Sequence, residues 1–312
     1  MIAEILKFIV YSSLIVLISK FLLVRILRNL AENLNLRANI VGNIAGIATS
    51  IPEFLTVTIS SFTGLMNASI FNILSSNVIN FFQYIFSITF NRNFKKIMNK
   101  AIIIDIILVL ITIVIPMMLV NTDINNVVLI PIFILLAVVF IVVNNIAHKK
   151  YLKNVDNKIL EKEIAVEKEE KRSNRKTYVY IILLIISGIL LYFVGNRLSD
   201  TLENLARYFN ISEMIIGIAL GFITSIPELI TFFESQKHYK KTEEDAVLGV
   251  VEATNNLFTS NILNLFIIQS IGIFVYNLFV LNWCYIDKSI LFSILYIWTF
   301  RFTLQNLFWT VT

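Results

Sequence analysis

Charged residues are scarce in this chain. Only 15% of its 312 residues are Asp, Glu, Lys or Arg, whereas 57% are hydrophobic, and the mean hydropathy is +0.78. A soluble domain needs a larger share of polar side chains to cover its surface. The composition therefore excludes an ordinary soluble domain and indicates a polytopic membrane protein that has the lipid bilayer as a partner.

Cysteine and histidine are also rare, which limits the possible metal chemistry. Cys284 is the only cysteine, so an internal disulfide is excluded. The two histidines, His148 and His238, are expected to lie in loops. Zinc and copper sites rely on these residue types, so such sites are disfavoured, and no cofactor is expected.

The apolar residues fall into runs of about 20 residues, the length of a transmembrane helix and about twice that of a barrel strand. An all-α fold is therefore predicted. Nine or ten transmembrane helices are predicted, about five in each repeat. The nine favoured helices span about residues 5–27, 38–62, 68–90, 102–120, 127–146, 178–194, 213–233, 246–273 and 289–308. In the alternative, the last two of ten helices are short and lie within 276–312. The fourth and fifth helices are featureless. A polar insert is predicted at 234–245.

The pentapeptide Thr-Ser-Ile-Pro-Glu occurs at residues 49–53 and again at 224–228. Residues 27–55 align with 202–230 without a gap. The polar residues that follow each copy also correspond. They are Asn72, Ser76, Asn77 and Asn80 in the first half, and Asn256, Ser260, Asn261 and Asn264 in the second. Chance convergence on this pattern is improbable, so the two halves share a fold.

The positions of Lys and Arg predict the orientation in the membrane. With the N-terminus outside, most basic residues, including those of 92–100 and 237–241, lie on the cytoplasmic side. The net charge of +5 therefore reflects membrane orientation, and no nucleic-acid partner is expected. Five helices precede a charged linker, so the second half enters the membrane upside down. The predicted domains are a first repeat at 1–147, a cytoplasmic linker at 148–177 and an inverted second repeat at 178–312.

Each pentapeptide places a proline and a glutamate inside an apolar run, where both are costly, so a functional site is expected there. Pro52 and Pro227 are expected to kink their helices and to free backbone carbonyls beside Glu53 and Glu228. On a helix, each glutamate shares a face with two glycines and a threonine, and the glycines also suit a close-packing seam. These residues are Gly42, Gly46 and Thr49 in the first half, and Gly217, Gly221 and Thr224 in the second.

Two polar stripes with a four-residue spacing are interpreted as the walls of a cation site. The stripes are Asn72, Ser76 and Asn80, and Asn256, Ser260 and Asn264. Hard oxygen donors suit calcium, and two glutamates balance one divalent cation. Ion loading or protonation is therefore expected to precede the change between inward-facing and outward-facing states. Glu252 extends the second stripe by one turn and aligns with Ala68 in the first repeat. We favour the interpretation that Glu252 lies near the lipid headgroups without a function over the alternative that it lines an access path for the ion.

These residues resemble the two alpha-repeats of the sodium/calcium exchangers in the calcium/cation antiporter superfamily. The resemblance is carried by both pentapeptides and by the motifs Ser-Asn-Val-Ile-Asn at 76–80 and Ser-Asn-Ile-Leu-Asn at 260–264. It implies ten helices, a central site for calcium and sodium ions, and alternating access by sliding of the first and sixth helices. It also implies these ligands: Glu53, Glu228, Thr49, Thr224, Ser50, Ser225, Ser76, Ser260, Asn80, Asn264 and the main-chain oxygens of Gly46 and Gly221.

The chain departs from the pattern of that family at several positions. Prokaryotic and potassium-dependent members often have aspartate where Asn264 stands, so potassium coupling is not expected. The usual glycine before each Thr-Ser pair is Ala48 or Ile223, and the usual glycine before each Ser-Asn pair is Ser75 or Thr259. These bulkier residues bear on the width and ion preference of the site.

The predicted function is that of a multi-pass antiporter of the cell membrane, which moves calcium out of the cytoplasm against sodium entry. Proton-coupled exchange, in which Glu53 and Glu228 take up protons, is the nearest alternative. A transport-inactive, cation-binding scaffold or sensor is a third hypothesis. An enzyme is not expected, because no residue pattern supplies a nucleophile together with a base.

Overall fold

The computed structural model describes residues 2–34, 38–119, 127–151, 174–241 and 246–281. Every regular element within these ranges is helical, so the prediction of an all-α fold is confirmed. The α-helices are α1 (Ile2–Ile18), α2 (Arg25–Asn33), α3 (Ala38–Thr49), α4 (Ile51–Phe62), α5 (Met66–Phe90), α6 (Lys100–Leu119), α7 (Leu129–Tyr151), α8 (Asn174–Phe209), α9 (Glu213–Thr224), α10 (Ile226–Lys241), α11 (Ala246–Ile262) and α12 (Gln269–Tyr276). Short π-helical segments follow α1, α11 and α12, at Ser19–Val24, Leu263–Ile268 and Asn277–Leu281, and a 3-10 turn at Phe94–Met98 precedes α6.

Six stretches of the described chain are long and apolar enough to cross a membrane. They are Ala38–Phe62, Met66–Phe90, Leu129–His148, Thr177–Leu198, Glu213–Tyr239 and Val247–Val280. Large apolar side chains on α7 and α8, such as Leu135 and Phe193, are exposed, as expected for surfaces that face lipid. The protein is therefore a multi-pass membrane protein. The predicted ninth helix at 289–308 lies outside the described residues.

The two pentapeptides interrupt their helices, and the interruption lies before the proline. Ser50 separates α3 from α4, and Ser225 separates α9 from α10. Each proline is the second residue of the new helix, where its missing N–H needs no partner within the helix. Helical hydrogen bonds nevertheless continue across each interruption: the backbone N–H of Ser50 donates to Gly46, and that of Ser225 donates to Gly221. Each pentapeptide therefore lies at a local kink in a helical span, as expected from its proline.

Two equivalent helix pairs form the centre of the molecule: α3 packs on α11, and α9 packs on α5. Each pair joins one repeat to the other. A Cβ atom on Gly217 would lie 2.5 Å from the carbonyl oxygen of Ala68, and one on Gly46 would lie 2.8 Å from that of Asn256. The glycines thus let the two backbones approach closely, which confirms the predicted packing seam.

Several polar segments are more helical than the sequence predicts. Helix α8 continues to Phe209 instead of ending near Val194, and α10 continues to Lys241 through much of the predicted polar insert. Both extensions contain good helix formers such as Leu, Glu, Gln, Arg and Lys, which add easily to an existing helix. His148 lies in α7 and His238 in α10, so the expectation that both lie in loops is wrong.

Helices α6 and α7, which were expected to be featureless, share a buried polar cluster. Nε2 of His148 lies 2.7 Å from Oδ2 of Asp105, and Nδ2 of Asn144 donates to Oδ1 of Asp105 at 2.8 Å. All three side chains are buried. A carboxylate is rarely buried without such partners, so the cluster ties α6 to α7.

Candidate cation site

The two interrupted helices bring the repeated glutamates together in the interior. Glu53 lies in the first turn of α4 and Glu228 in the first turn of α10, and both side chains are 0% exposed. Each carboxylate therefore lies at the positive end of a helix dipole, which favours a negative charge. The two interruptions meet through Ser50, which lies three residues before Glu53 and contacts Ser260, the residue that donates to Glu228.

Each glutamate faces the threonine of the other repeat. Thr224 lies beside Glu53, and Thr49 lies beside Glu228. Neither oxygen of Glu53 completes a hydrogen bond to any described residue. The site is therefore formed by both halves of the chain, and neither half supplies it alone.

Ser260 connects the carboxylate of the second repeat to side chains of the first. Its hydroxyl donates to Oε1 of Glu228 at 3.0 Å. The hydroxyl of Ser50 lies 3.0 Å from that of Ser260, and Nδ2 of Asn80 donates to Ser260 at 3.2 Å. Four of the residues predicted for the site thus form one hydrogen-bonded group.

Ser76 has a different environment from its counterpart Ser260. Its hydroxyl lies 3.4 Å from the carbonyl oxygen of Gly221 and 3.4 Å from Oδ1 of Asn72. The carbonyl of Gly221 also accepts the backbone N–H of Ser225, at 3.2 Å. The carbonyl of Gly46 likewise accepts hydrogen bonds from the backbone and the hydroxyl of Ser50. Both glycine carbonyls thus lie at the helix interruptions, as a role in the site would require.

Several buried polar atoms around the glutamates lack a hydrogen-bond partner among the described residues. These atoms are both carboxylate oxygens of Glu53, Oε2 of Glu228, Oγ of Ser225, Oδ1 of Asn77, Oδ1 of Asn80, and Oδ1 and Nδ2 of Asn264. A buried polar atom without a partner costs about 1–3 kcal/mol. Nearly all of these atoms are oxygens, so the group suits a ligand that accepts lone pairs, such as a hard cation.

Two threonines that sequence reasoning did not select hold the amides of the polar stripes. Nδ2 of Asn72 donates to Oγ1 of Thr56 at 2.7 Å, and Nδ2 of Asn256 donates to Oγ1 of Thr231 at 2.5 Å. The amide oxygens consequently face the other repeat: Oδ1 of Asn72 lies 3.4 Å from Oγ1 of Thr224. Thr56 and Thr231 follow each glutamate by three residues, so extending the repeat alignment by one position would have identified them.

Two asparagines of the repeats make a reciprocal contact between α5 and α11. Nδ2 of Asn77 donates to the carbonyl of Asn261 at 3.1 Å, and Nδ2 of Asn261 donates to the carbonyl of Asn77 at 3.1 Å. The same bond made in both directions is the signature of an internal two-fold axis. The axis passes between the two polar stripes.

All of the residues predicted for the site are buried in the described structure. Their side chains are 0–2% exposed. The contacts above join Glu228, Ser260, Ser50 and Asn80, and they place Thr49 and Thr224 beside the glutamates. No hydrogen bond ties Asn264 to this group within the described ranges, although its side chain is buried. Among the described residues, no group of three or more His, Cys, Asp or Glu side chains could hold a metal ion. The available donors are therefore two carboxylates together with hydroxyl and amide oxygens.

Solved structures with the same architecture come from the sodium-calcium exchanger NCX_Mj. A structure of that protein soaked with sodium and strontium matches with a TM-score of 0.52, 18% identity, and coverage of 88% of this chain and 83% of that chain. A second, soaked with sodium and without calcium, matches with a TM-score of 0.51, 18% identity, and coverage of 88% and 84%. At this identity, the matches establish the shared fold.

The sequence also matches a family model, described as sodium/calcium exchanger protein, over residues 5–146 and 179–311. No curated protein matches the chain. The two matched segments correspond to two repeats and together cover most of the sequence. The chain therefore belongs to the sodium/calcium exchanger family, a family of membrane cation transporters.

Proposed function

We propose that the protein is a secondary antiporter, which exchanges calcium for sodium across the cell membrane by alternating access. The observation that carries this proposal is the meeting of Glu53 and Glu228. They come from equivalent helix interruptions in the two repeats, they are fully buried, and Ser260 links Glu228 to Ser50, three residues before Glu53. A binding site shared between two inverted repeats can be exposed to either side of the membrane by their relative movement.

The charges of the two glutamates explain why transport would be coupled. Two ionised carboxylates in a buried site repel each other, whereas one calcium ion or two sodium ions would balance them. The loaded site is then close to neutral and can pass through a low-dielectric environment. The change between inward-facing and outward-facing states therefore requires a bound cation, and this requirement makes the protein an exchanger instead of a channel.

The oxygens that lack protein partners support the choice of a hard cation. Calcium binds six to eight oxygens, often with bidentate carboxylates. The proposed ligands are the residues named for the site in the sequence. They are Glu53, Glu228, Thr49, Thr224, Ser50, Ser225, Ser76, Ser260, Asn80 and Asn264, with the carbonyl oxygens of Gly46 and Gly221. An inward sodium gradient would drive calcium outward through such an exchanger.

Calcium flux in proteoliposomes tests this function when sodium and proton gradients are imposed separately. We expect uptake driven by an outward sodium gradient and no uptake driven by a pH gradient alone. Glu53→Gln and Glu228→Gln should each lower the flux by about a hundredfold or more, because each removes a buried charge from a balanced set. Glu213→Gln, a change at the start of α9 and away from the site, serves as the matched control.

Other outcomes would point to other functions. Uptake that follows the pH gradient without sodium would replace sodium coupling with proton coupling. Calcium binding without flux under either gradient would contradict transport altogether.

A further inference from the structure

Glu252 is a buried carboxylate that exists in only one repeat. Its side chain is 2% exposed, and the hydroxyl of Ser235 donates to Oε1 at 2.6 Å. The corresponding residues in the first repeat are Ala68 and Ser60, which are also buried. The serine is therefore common to both repeats, whereas the carboxylate is not.

Glu252 lines a cleft between α10, α11 and the first part of the chain. The polar residues of the cleft are Glu252, Ser235, Thr231 and Glu234, and its other walls are apolar side chains, including Val24 and Val41. The side chain of Glu234 is 49% exposed, so it lies at the outer end, while Glu252 lies within. One carboxylate thus lies at the surface end of the cleft and one lies deeper, with two hydroxyls and four apolar side chains in the rest of the lining.

The inner end of this cleft contacts the walls of the cation site. Thr231 lines the cleft, and its hydroxyl also accepts the amide of Asn256. Asn256 lies one turn beyond Glu252 on the same face of α11, and its Oδ1 lies 3.5 Å from Oγ1 of Thr49. Thr49 is beside Glu228. A series of oxygen atoms therefore connects the cleft to the paired glutamates.

We propose that Glu252 captures the cation on one face of the membrane before it reaches the central site. This proposal rests on the proposed function. Equivalent positions of inverted repeats line the pathways to opposite faces, so Glu252 serves one pathway and Ala68 leaves the other without a carboxylate. The basic residues of 237–241 place the Glu252 pathway on the cytoplasmic side, where calcium enters for export.

The apparent affinity for calcium on each face tests this role. Calcium transport is measured in inside-out and right-side-out membrane vesicles for the wild type and for Glu252→Gln, which keeps the shape and can still accept the Ser235 hydrogen bond. For Glu252→Gln, we expect the half-saturating calcium concentration to rise about tenfold on the cytoplasmic face, because the variant loses one screened charge contact with the ion. The value on the outer face should remain within about twofold of the wild type.

Two further variants separate capture of the ion from a structural role. Ser235→Ala removes the hydrogen bond and keeps the carboxylate, so it should raise the cytoplasmic half-saturation by less than Glu252→Gln does. Glu213→Gln should change neither face. An equal effect of Glu252→Gln on both faces, or no effect on either, would overturn the capture role while wild-type flux remained intact. An absence of calcium flux in the wild type would instead overturn the proposed function and this inference with it.

Discussion

The two repeats have the same pentapeptide but hold their glutamates differently. Oε1 of Glu228 accepts a hydrogen bond from Ser260, whereas neither oxygen of Glu53 completes a hydrogen bond within the described ranges. Ser76, the counterpart of Ser260, lies instead against the carbonyl of Gly221. One carboxylate is thus fixed by the protein, and the other has both oxygens available for a ligand.

The polar stripes differ in the same way. Asn80 lies in the uninterrupted helix α5, and its amide donates to Ser260 and to Asn261. Asn264 lies in the π-helical segment that follows α11, and its amide has no hydrogen-bond partner in the described chain. A π-helical segment turns the side chains away from the regular helical pattern, and such segments are frequent at functional sites.

These differences teach that a repeated sequence need not give a symmetric site. The proposed alternating access would require the two repeats to adopt different conformations at any one time. Unequal hydrogen bonding of equivalent residues is a local form of that difference. The packing seam, in contrast, is the same in both repeats. Substitutions in the seam should therefore act equally on the two halves, and substitutions in the stripes should not.

The largest effect is expected from filling the seam. Gly217→Ala places a Cβ atom 2.5 Å from a backbone oxygen, which cannot move aside without separating α9 from α5. In the equivalent pair, α3 and α11, a Cβ atom on Gly42 would meet the backbone carbonyl of Glu252, so Gly42→Ala should act in the same way. Each variant should lose about 2 kcal/mol or more of stability, measured as thermal unfolding in detergent.

Gly188 provides the matched control for the seam, because a Cβ atom on it would meet no atom within 4 Å. Gly188→Ala should be neutral or stabilise the protein by about 0.5 kcal/mol. If Gly217→Ala and Gly42→Ala unfolded at the wild-type temperature, the close approach of the backbones would be wrong.

An intermediate effect is expected from the two equivalent serines. Ser260→Ala removes a hydrogen bond to a charged group and the contact that links Ser50 and Asn80 to it, so the apparent calcium affinity should fall about tenfold. Ser76→Ala removes a proposed ligand oxygen but leaves the hydrogen bonding of both glutamates unchanged, so the affinity should fall less, about twofold. The apparent affinity of each variant is measured from calcium flux as a function of calcium concentration. Equal losses in the two variants would mean that the repeats hold their glutamates alike in the working protein.

A smaller effect than that of Ser260→Ala is expected from adding a carboxylate. Asn264→Asp breaks no hydrogen bond within the described residues and adds a charge beside the site, so the calcium affinity should rise about threefold. Asn80→Asp is the matched control in the other repeat; it removes the amide that donates to Ser260 and Asn261, and should lower the affinity. A rise in both variants would show that charge alone decides the outcome.

The fold, and which residues of the two motifs lie together, could be predicted from the sequence because the motif is repeated. The spacing of Gly46, Thr49 and Glu53 places them on one face of a helix. The second copy of the motif identifies the equivalent face in the other repeat. The sequence predicted a kink at each proline, and the structure places the interruption two residues earlier, at Ser50 and Ser225. Six of the predicted spans are long and apolar enough to cross a membrane in the described chain.

Features without a repeat were harder to predict. Asp105 and His148 are 43 residues apart and lie in a pair of helices whose apolar pattern hides them. The different environments of Ser76 and Ser260 could not be predicted at all, because both residues stand in the same motif and only the packing around them differs. Sequence identity between repeats therefore predicts which residues meet, and it does not predict how each is bonded.

Calcium binding to the purified protein tests most directly whether Glu53 and Glu228 share one cation. Equilibrium dialysis gives the calcium bound per chain for the wild type, Glu53→Gln, Glu228→Gln and the double variant. If both acids hold the same ion, each single variant loses the high-affinity calcium, and the double variant is no weaker than either. If either single variant kept wild-type calcium binding, the two glutamates would not form one site.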